Sequence, residues 1–188
     1  MRLSPLAVLA VGAVFCVAFG GCSLIPRPLV SHRVDYSGLQ EGDLRGAAEA
    51  VEAAVKAGNR DFVPENRGAI VLDTEEIAQA VRTRAARAEL VAELLASGFA
   101  VEQRNGLISL VRGSAYKKAT TSRERGKNAL VVMSENANRW TIYEGVQNAS
   151  NLKSKALGAI QDAFYQARIA QLSPGAKYED AEGNQVTK

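Results

Sequence analysis

The segment DTEEIAQAVRTRAARAELVAELLASG, residues 73–98, predicts a long amphipathic helix and so a largely helical fold. Asp73 followed by Glu76 has the spacing of a capping box, in which both side chains hydrogen bond to backbone amides where a helix begins. Apolar side chains then recur every three or four residues: Ile77, Val81, Ala85, Ala88, Val91 or Ala92, and Leu95. Gly98 suits the end of this helix, so we predict a helix from Thr74 to Ala96. Its charged residues predict a solvated outer face: Arg82, Arg84, Arg87, Glu89 and Glu93.

Three further segments show helical periodicity. One begins at Asp43, ends at Gly58 and carries an apolar face: Leu44, Ala48, Val51 and Val55. Another runs from about Arg125 to Gln147, with an apolar stripe predicted to face the core: Leu130, Met133, Ala137, Trp140, and Tyr143 or Glu144. The last ends before Ser173-Pro174-Gly175 and carries Leu152, Ala156, Ala159 or Ile160, Ala163, Phe164 and Ala167. Trp140, the single tryptophan, fits a partner contact or a core position, and its place on the stripe favours the core.

The remaining regular structure is a short β-hairpin. Residues 99–103 and 107–111 flank Arg104-Asn105-Gly106, and Asn-Gly favours a tight turn. The tail from Lys177 either folds as a second small hairpin or stays loose. The predicted fold class is therefore mainly α, a small bundle of three to four helices with a minor β-hairpin.

The N-terminal residues predict a location in the bacterial cell envelope. Arg2 and an apolar run from Leu3 to Phe19 have the form of a secretory signal peptide, and Gly20-Gly21-Cys22 resembles a lipobox. We therefore expect a signal peptide at 1–21, membrane attachment through an acylated Cys22, and a flexible tether over 22–42 before a helical domain at 43–188. The alternative is an uncleaved membrane anchor, since this apolar stretch is long enough to span a bilayer. Ser23 favours sorting to the outer membrane over retention at the inner one.

Composition and motifs exclude several functional classes. The net charge of +3 over 188 residues is too small to indicate a nucleic-acid partner. Cys16 would leave with the signal peptide and Cys22 would carry lipid, so the mature chain would have no free thiol. The one histidine, His32, lies in the expected tether. We therefore expect no catalytic residues, no metal site, no cofactor and no enzymatic activity.

The second half resembles the YdbL-like periplasmic family, a domain of unknown function. The stretch GFAVEQRNGLI at 98–108 is similar to a motif of that family, as is ENANRW at 135–140 followed by Ile142-Tyr143. The turn at 147–150 and the segments SPGAKY at 173–178 and DAEGN at 180–184 match further family features. The resemblance covers about residues 77–188, and Val101, Ala176 and Gln185 depart from the family's Gly, Glu and Trp.

The resemblance implies a non-enzymatic accessory or assembly protein, chaperone-like in role, for an envelope complex. In some bacteria such proteins are encoded with an AsmA-like bridging protein and a small lipoprotein, a set linked to lipid transfer between the membranes. The resemblance therefore implies an AsmA-like protein or a small lipoprotein as the partner. The residues that carry the resemblance are then candidate partner or surface contacts: Glu102, Gly106, Glu135, Asn136, Arg139, Trp140 and Tyr143.

An alternative function is a lipid-binding or membrane-surface domain that uses a basic segment at 112–127. This segment holds Arg112, Lys117, Lys118, Arg123, Arg125 and Lys127 against a single acidic residue, Glu124. Basic side chains near anionic headgroups favour membrane contact, although such runs also serve as solvated surface. Exposure of five further apolar residues would indicate a groove or partner surface, and their burial a closed bundle: Val131, Ile142, Val146, Leu157 and Ile169.

Overall fold

The computed structural model describes residues 34–188. Five helices run in chain order: α1 (Glu41–Lys56), α2 (Glu75–Ala96), α3 (Ser114–Ala119), α4 (Ser122–Ala149) and α5 (Leu157–Gln171). Four short strands complete the structure: β1 (Ala100–Glu102), β2 (Ile108–Leu110), β3 (Lys177–Glu179) and β4 (Gln185–Thr187). The predicted mainly helical class with a minor β element is confirmed. The expected signal peptide and Cys22 lie outside the described residues.

The four long helices enclose one apolar core. Helix α1 packs against α2 and α5, and α4 packs against α2 and α5. The centre of this core is filled by large side chains that exclude water completely: Leu44, Ile77, Ile142, Tyr143, Ile160 and Phe164. Burying such side chains is the main driving force for folding.

Helix α2 begins differently from the prediction. Thr74 is the N-cap, and its hydroxyl accepts a hydrogen bond from the Ile77 amide at 3.2 Å. The predicted Asp73–Glu76 capping box is wrong, because Asp73 lies before the cap and its amide donates to the Asn66 side chain at 3.2 Å. A capping box does start α4, where Thr121 and Glu124 bond reciprocally. Helix α4 therefore begins at Ser122, three residues earlier than predicted.

Helix α4 buries a face other than the predicted one. Leu130 and Met133 are 65% and 66% exposed, Ala137 is exposed and Trp140 is 37% exposed, so these four residues face solvent and Trp140 is not a core residue. Of the predicted stripe only Tyr143 is buried. The buried residues of α4 are instead Val132, Glu135, Arg139, Ile142, Tyr143 and Val146. Two of them are charged, so an apolar-spacing argument assigns the wrong side of the helix to the core.

The strands form one mixed sheet in the order β2-β1-β3-β4. The predicted hairpin is confirmed, with β1 and β2 antiparallel and Glu102 opposite Ile108. The tail, whose state the sequence left open, forms the second hairpin, and β3 joins the first hairpin by pairing parallel to β1. A second apolar cluster links the sheet to α2 and α4: Val91, Leu94, Leu95, Ala100, Ile108, Val132 and Ala176.

The folded domain extends further toward the N-terminus than predicted. Val34, Tyr36 and Leu39 pack against the main core, and the Tyr36 hydroxyl donates to Asp162 at 2.6 Å. The predicted flexible tether over 22–42 is therefore wrong for residues 34–42, which pack on the domain or begin α1. Their apolar side chains gain by leaving water.

None of the five apolar residues whose exposure would indicate a groove is exposed. Ile142 and Val146 are fully buried, and Val131, Leu157 and Ile169 are half-buried rather than exposed. Among residues 34–188, no helix has the length and apolar character needed to cross a membrane.

Candidate functional site

Six charged side chains are buried where α1, α2, α4, α5 and β1 meet. None is more than 7% exposed, and together we call them the ionic ring: Glu52, Arg84, Glu135, Arg139, Glu102 and Arg168. In this order each side chain forms an ion pair with the next, and Arg168 closes the ring on Glu52. Buried charges are stable only when they are paired and hydrogen bonded. The ring meets this requirement by alternating three carboxylates with three guanidinium groups.

Arg84 joins α2 to α1 and α4. Its Nη1 and Nη2 donate to the two oxygens of Glu52 at 2.9 and 2.8 Å, and its Nε donates to Glu135 at 2.8 Å. The two parallel hydrogen bonds to Glu52 have the bidentate geometry that suits guanidinium and carboxylate groups. Arg87, half-buried one turn further along α2, donates a further hydrogen bond to Glu135 at 3.3 Å.

Arg139 and Arg168 complete the ring around Glu102 of β1. Arg139 donates to both oxygens of Glu102 at 2.7 and 2.8 Å and to Glu135 at 2.8 Å. Arg168 of α5 donates to Glu102 at 3.1 Å and to Glu52 at 2.8 Å. The ring therefore links β1 of the first hairpin to all four long helices through side-chain ion pairs.

The turn of the first hairpin is fastened to the ring through one backbone carbonyl. The Gly106 oxygen accepts from the Tyr143 hydroxyl at 2.7 Å and from Arg168 Nη2 at 2.8 Å. The Tyr143 hydroxyl in turn accepts from Arg168 at 3.0 Å. Gly106 has a positive φ of +82°, and a Cβ there would lie 3.0 Å from the Tyr143 hydroxyl and 3.2 Å from the Gln161 carbonyl. The backbone conformation and the close approach both require glycine.

Replacing Gly106 with alanine is expected to lower the free energy of unfolding by about 2–3 kcal/mol, because left-handed backbone strain of about 1–2 kcal/mol adds to a crowded contact. Gly183 is the matched control, since its φ is +79° and a Cβ there would meet nothing within 4 Å. Chemical denaturation of Gly106→Ala and Gly183→Ala separates the cost of backbone strain, which both variants share, from the cost of the crowded contact, which only Gly106→Ala has. Equal losses in the two variants would show that the packing of Gly106 on Tyr143 contributes nothing.

Electrostatics keep the ring ionised despite its burial. Burial by itself would raise the pKa of the Glu135 carboxyl, but attraction by Arg84 and Arg139 outweighs it and holds that pKa well below the usual range. The pKa values of the Glu52 and Glu102 carboxyls are lowered for the same reason, each by two arginines. On the other side, the carboxylates more than offset burial and raise the pKa values of Arg84, Arg139 and Arg168.

A cleft of about 120 Å³ opens beside the ring. Its floor is formed by the six ring residues, and Lys56, Gln171 and Ser173 also line it. Apolar side chains from α1, α2 and the segment between α5 and β3 form its walls: Val55, Ala88, Val91, Ala92, Leu95, Ala96, Leu172 and Ala176. A cleft with apolar walls and a few convergent polar groups is the usual form of a small-molecule site.

The structure brings most of the predicted contact residues together, but not at a surface. Glu102, Gly106, Glu135, Arg139 and Tyr143 are buried in or against the ring, so their prediction as surface contacts is wrong. Their polar groups are hydrogen bonded to one another and to the other ring residues, which excludes direct contact with a partner protein in the folded state.

Two of the predicted contact residues have other positions. Asn136 is half-buried and bonds to both the amide and the carbonyl of Ile108, at 2.9 and 2.8 Å, and so tethers α4 to β2. Trp140 alone is exposed, and its ring packs edge-on against Tyr143 with the centroids 6.4 Å apart.

The predicted basic segment does form one surface. Arg112, Lys117, Lys118, Arg123 and Lys127 are exposed around α3 and the first turns of α4. Arg125 is half-buried, and its guanidinium donates to the Thr120 carbonyl at 2.5 Å.

Three members of the ring are not among the predicted site residues: Glu52, Arg84 and Arg168. A signal for them exists, because each lies in register with an apolar face. Glu52 follows Ala48 by four residues, Arg84 follows Val81 by three, and Arg168 follows Phe164 by four. Charged residues at such spacings lie on the buried side of a helix.

Neither a metal nor a known relative identifies the site. Within residues 34–188 no cluster of three or more His, Cys, Asp or Glu side chains is arranged to hold a metal ion. No family model matches the chain, and neither does any curated protein or solved structure. The resemblance to the YdbL-like family therefore stays a prediction, and the site has to be interpreted from its own chemistry.

Proposed function

We propose that the protein is a lipid-anchored accessory domain of the bacterial cell envelope, without enzymatic activity, that binds another envelope protein and assists assembly of its complex. The lipobox-like Gly20-Gly21-Cys22 supports the location, and the family resemblance supports a partner involved in intermembrane lipid transport. The observation that carries the binding role is the exposed face of α4, which we call the α4 stripe: Leu130, Met133, Ala137 and Trp140.

The α4 stripe has the features of a protein-binding surface. Its residues recur at three- and four-residue spacing along about 15 Å of one helix, which suits an apolar partner segment. Large apolar side chains at such exposure are few among residues 34–188, and three of the four lie on this stripe. Trp140 adds an aromatic anchor of the kind that dominates binding energy at interfaces.

The ionic ring supports this role by fixing the opposite face of the same helix. Glu135 and Arg139 lie on the buried side of α4 and are held by Arg84 and Glu102. The stripe is therefore presented on a helix whose orientation is set by ion pairs. A preformed surface loses less conformational entropy on binding than a mobile one.

A second candidate function, contact with an anionic membrane surface, is favoured by the neighbourhood of the stripe. The exposed basic residues around α3 and the start of α4 lead directly into Leu130 and Met133. A basic patch next to apolar side chains is typical of helices that lie on membranes. If the protein has this function, it should bind to anionic vesicles without any other protein present.

The Met133→Asp variant is expected to lose its partner while keeping its stability. A carboxylate in the middle of the stripe would be desolvated in the complex, which predicts at least a tenfold weaker interaction. The measurement is affinity purification from detergent-solubilised envelopes, comparing wild type, Cys22→Ala and Met133→Asp by the recovery of the same protein.

Ser134→Asp is the matched control, because it adds the same charge at an exposed neighbouring position off the stripe. Equal recovery of the partner by Met133→Asp and Ser134→Asp would contradict binding through the α4 stripe. Binding of the wild type to anionic vesicles, with no protein recovered, would instead support the membrane-surface candidate.

A further inference from the structure

We propose that the cleft beside the ionic ring binds a single-chain amphiphile with a carboxylate head, a fatty acid in chemical class. The carboxylate lies at the charged end of the cleft, and the hydrocarbon chain extends along α2 toward its C-terminal end. This site is separate from the α4 stripe and independent of the protein-binding role proposed above.

The cleft is polar at one end and apolar along its length. The residues of α2 that line it fall on one face of the helix: Arg84, Ala88, Val91, Ala92, Leu95 and Ala96. From Arg84 to Ala96 this face extends over about 18 Å. Only its first residue, Arg84, is charged. A ligand that fits must therefore have its polar group at this end and an apolar chain toward Ala96.

The apolar part of the cleft suits one chain. Ala88, Ala92 and Ala96 follow one another at four-residue intervals and lie in a row along α2. Their small side chains leave a groove, with Val55 of α1 and Leu172 after α5 also lining the cleft. A hydrocarbon chain in this groove would cover apolar surface that is otherwise in contact with water.

The charges at the cleft favour an anionic head. Four cationic side chains line it, Lys56, Arg84, Arg139 and Arg168, against the three carboxylates of the ring, an excess of one positive charge. Arg87, which bonds to Glu135, adds a further positive charge nearby. A carboxylate would therefore complement the site, whereas a cationic head would oppose it.

Lys56 provides hydrogen-bond donors for an anionic head. It lines the cleft and is exposed, and its ammonium group has three N–H donors. Among the described residues one of these donors bonds to the Gln171 carbonyl at 2.7 Å. The others can bond to a carboxylate oxygen.

The test is a binding titration on the full chain carrying Cys22→Ala, stripped of lipid, with displacement of a fluorescent polyene fatty acid by octanoate, decanoate and dodecanoate. Each step of two methylenes is expected to lower Kd about tenfold. Methyl decanoate, which lacks the charge, is expected to bind at least tenfold more weakly than decanoate. Equal binding of acid and ester, no dependence on chain length, or no displacement at all would overturn the proposal.

A pair of variants locates the site. Ala92→Phe fills the groove from an exposed position and is expected to weaken decanoate binding at least tenfold, whereas Ala86→Phe places the same ring at an exposed position of α2 outside the cleft and leaves binding unchanged. Equal binding by the two variants would overturn the assignment to this cleft. Met133→Asp is expected to bind decanoate like wild type, which separates this site from the α4 stripe.

Discussion

Replacing Arg139 with methionine is expected to lower the free energy of unfolding by about 3–5 kcal/mol, the usual cost of removing one partner from a buried ion pair. Arg139 donates two hydrogen bonds to Glu102 and one to Glu135, and it is 1% exposed. Methionine keeps much of the side-chain volume but leaves both carboxylates with one guanidinium neighbour fewer in the ring. Since domains of this size are stable by only about 5–15 kcal/mol, the loss would be a large fraction of the total.

The control for this prediction lies on the same helix. Arg123 is exposed in the first turn of α4, so Arg123→Met should change the stability by less than about 0.5 kcal/mol. Urea denaturation of both variants at pH 7 gives the comparison. If Arg139→Met is too unstable to purify, Glu135→Gln, which keeps the shape and removes the charge, is measured in its place. If the free energy of unfolding fell by less than about 1 kcal/mol in these ring variants, the ring would not be the main interaction that holds the helices and β1 together.

Acid is expected to unfold the protein steeply below about pH 4.5. The pKa values of Glu52, Glu102 and Glu135 are all lower in the folded protein than the usual glutamate value, because each carboxylate is paired with two arginines of the ring. Between the folded and the unfolded pKa values, the unfolded chain binds more protons than the folded one. Stability is therefore fully present above the unfolded value of about 4.3 and is lost as the pH falls below it.

The number of ring carboxylates sets how steeply the free energy of unfolding is expected to fall with pH. Each group contributes up to about 1.4 kcal/mol per pH unit within its window, so three groups contribute up to about 4 kcal/mol per unit. Urea denaturation between pH 7 and pH 3 measures this slope. In Arg139→Met two of the three carboxylates lose a cationic neighbour, so the slope should be shallower than in wild type. An unchanged slope would show that acid unfolding has its origin outside the ring.

The helices and the first hairpin were accessible from the sequence because their signals are local. Residues 77–95 repeat with the helical period, and Asn105-Gly106 marks the turn between β1 and β2. The pairing of β3 with β1 was not accessible, since it joins residues that are more than seventy positions apart and no local pattern encodes it. The hydrogen bonds from the Leu72 and Asp73 amides to the Asn66 side chain, just before Thr74 caps α2, likewise involve a preceding loop that has no helical or strand pattern.

The ionic ring was the main feature that sequence reasoning missed. Arg84 was assigned to a solvated face because charged helix residues are usually exposed, and α4 was assigned an apolar face that in fact points to solvent. The family resemblance names Glu102, Glu135 and Arg139 as partner or surface contacts and does not indicate that they pair with one another. Paired members of the ring are up to 116 residues apart in sequence, as in the pair of Glu52 with Arg168. Complementary charges at such separations are visible only once the chain is folded.

The closed form of the ring has a consequence for partly folded states. Its six members come from α1, α2, β1, α4 and α5, so no stretch of consecutive elements can neutralise all six charges by itself. An intermediate that buried four of the five elements would enclose carboxylates or guanidinium groups lacking a neighbour, which is a costly arrangement. Intermediates of this kind are therefore disfavoured relative to both the folded and the unfolded chain. The domain should gain and lose its structure in a single cooperative transition, with the amides of α1, α2, α4 and α5 exchanging their hydrogens together.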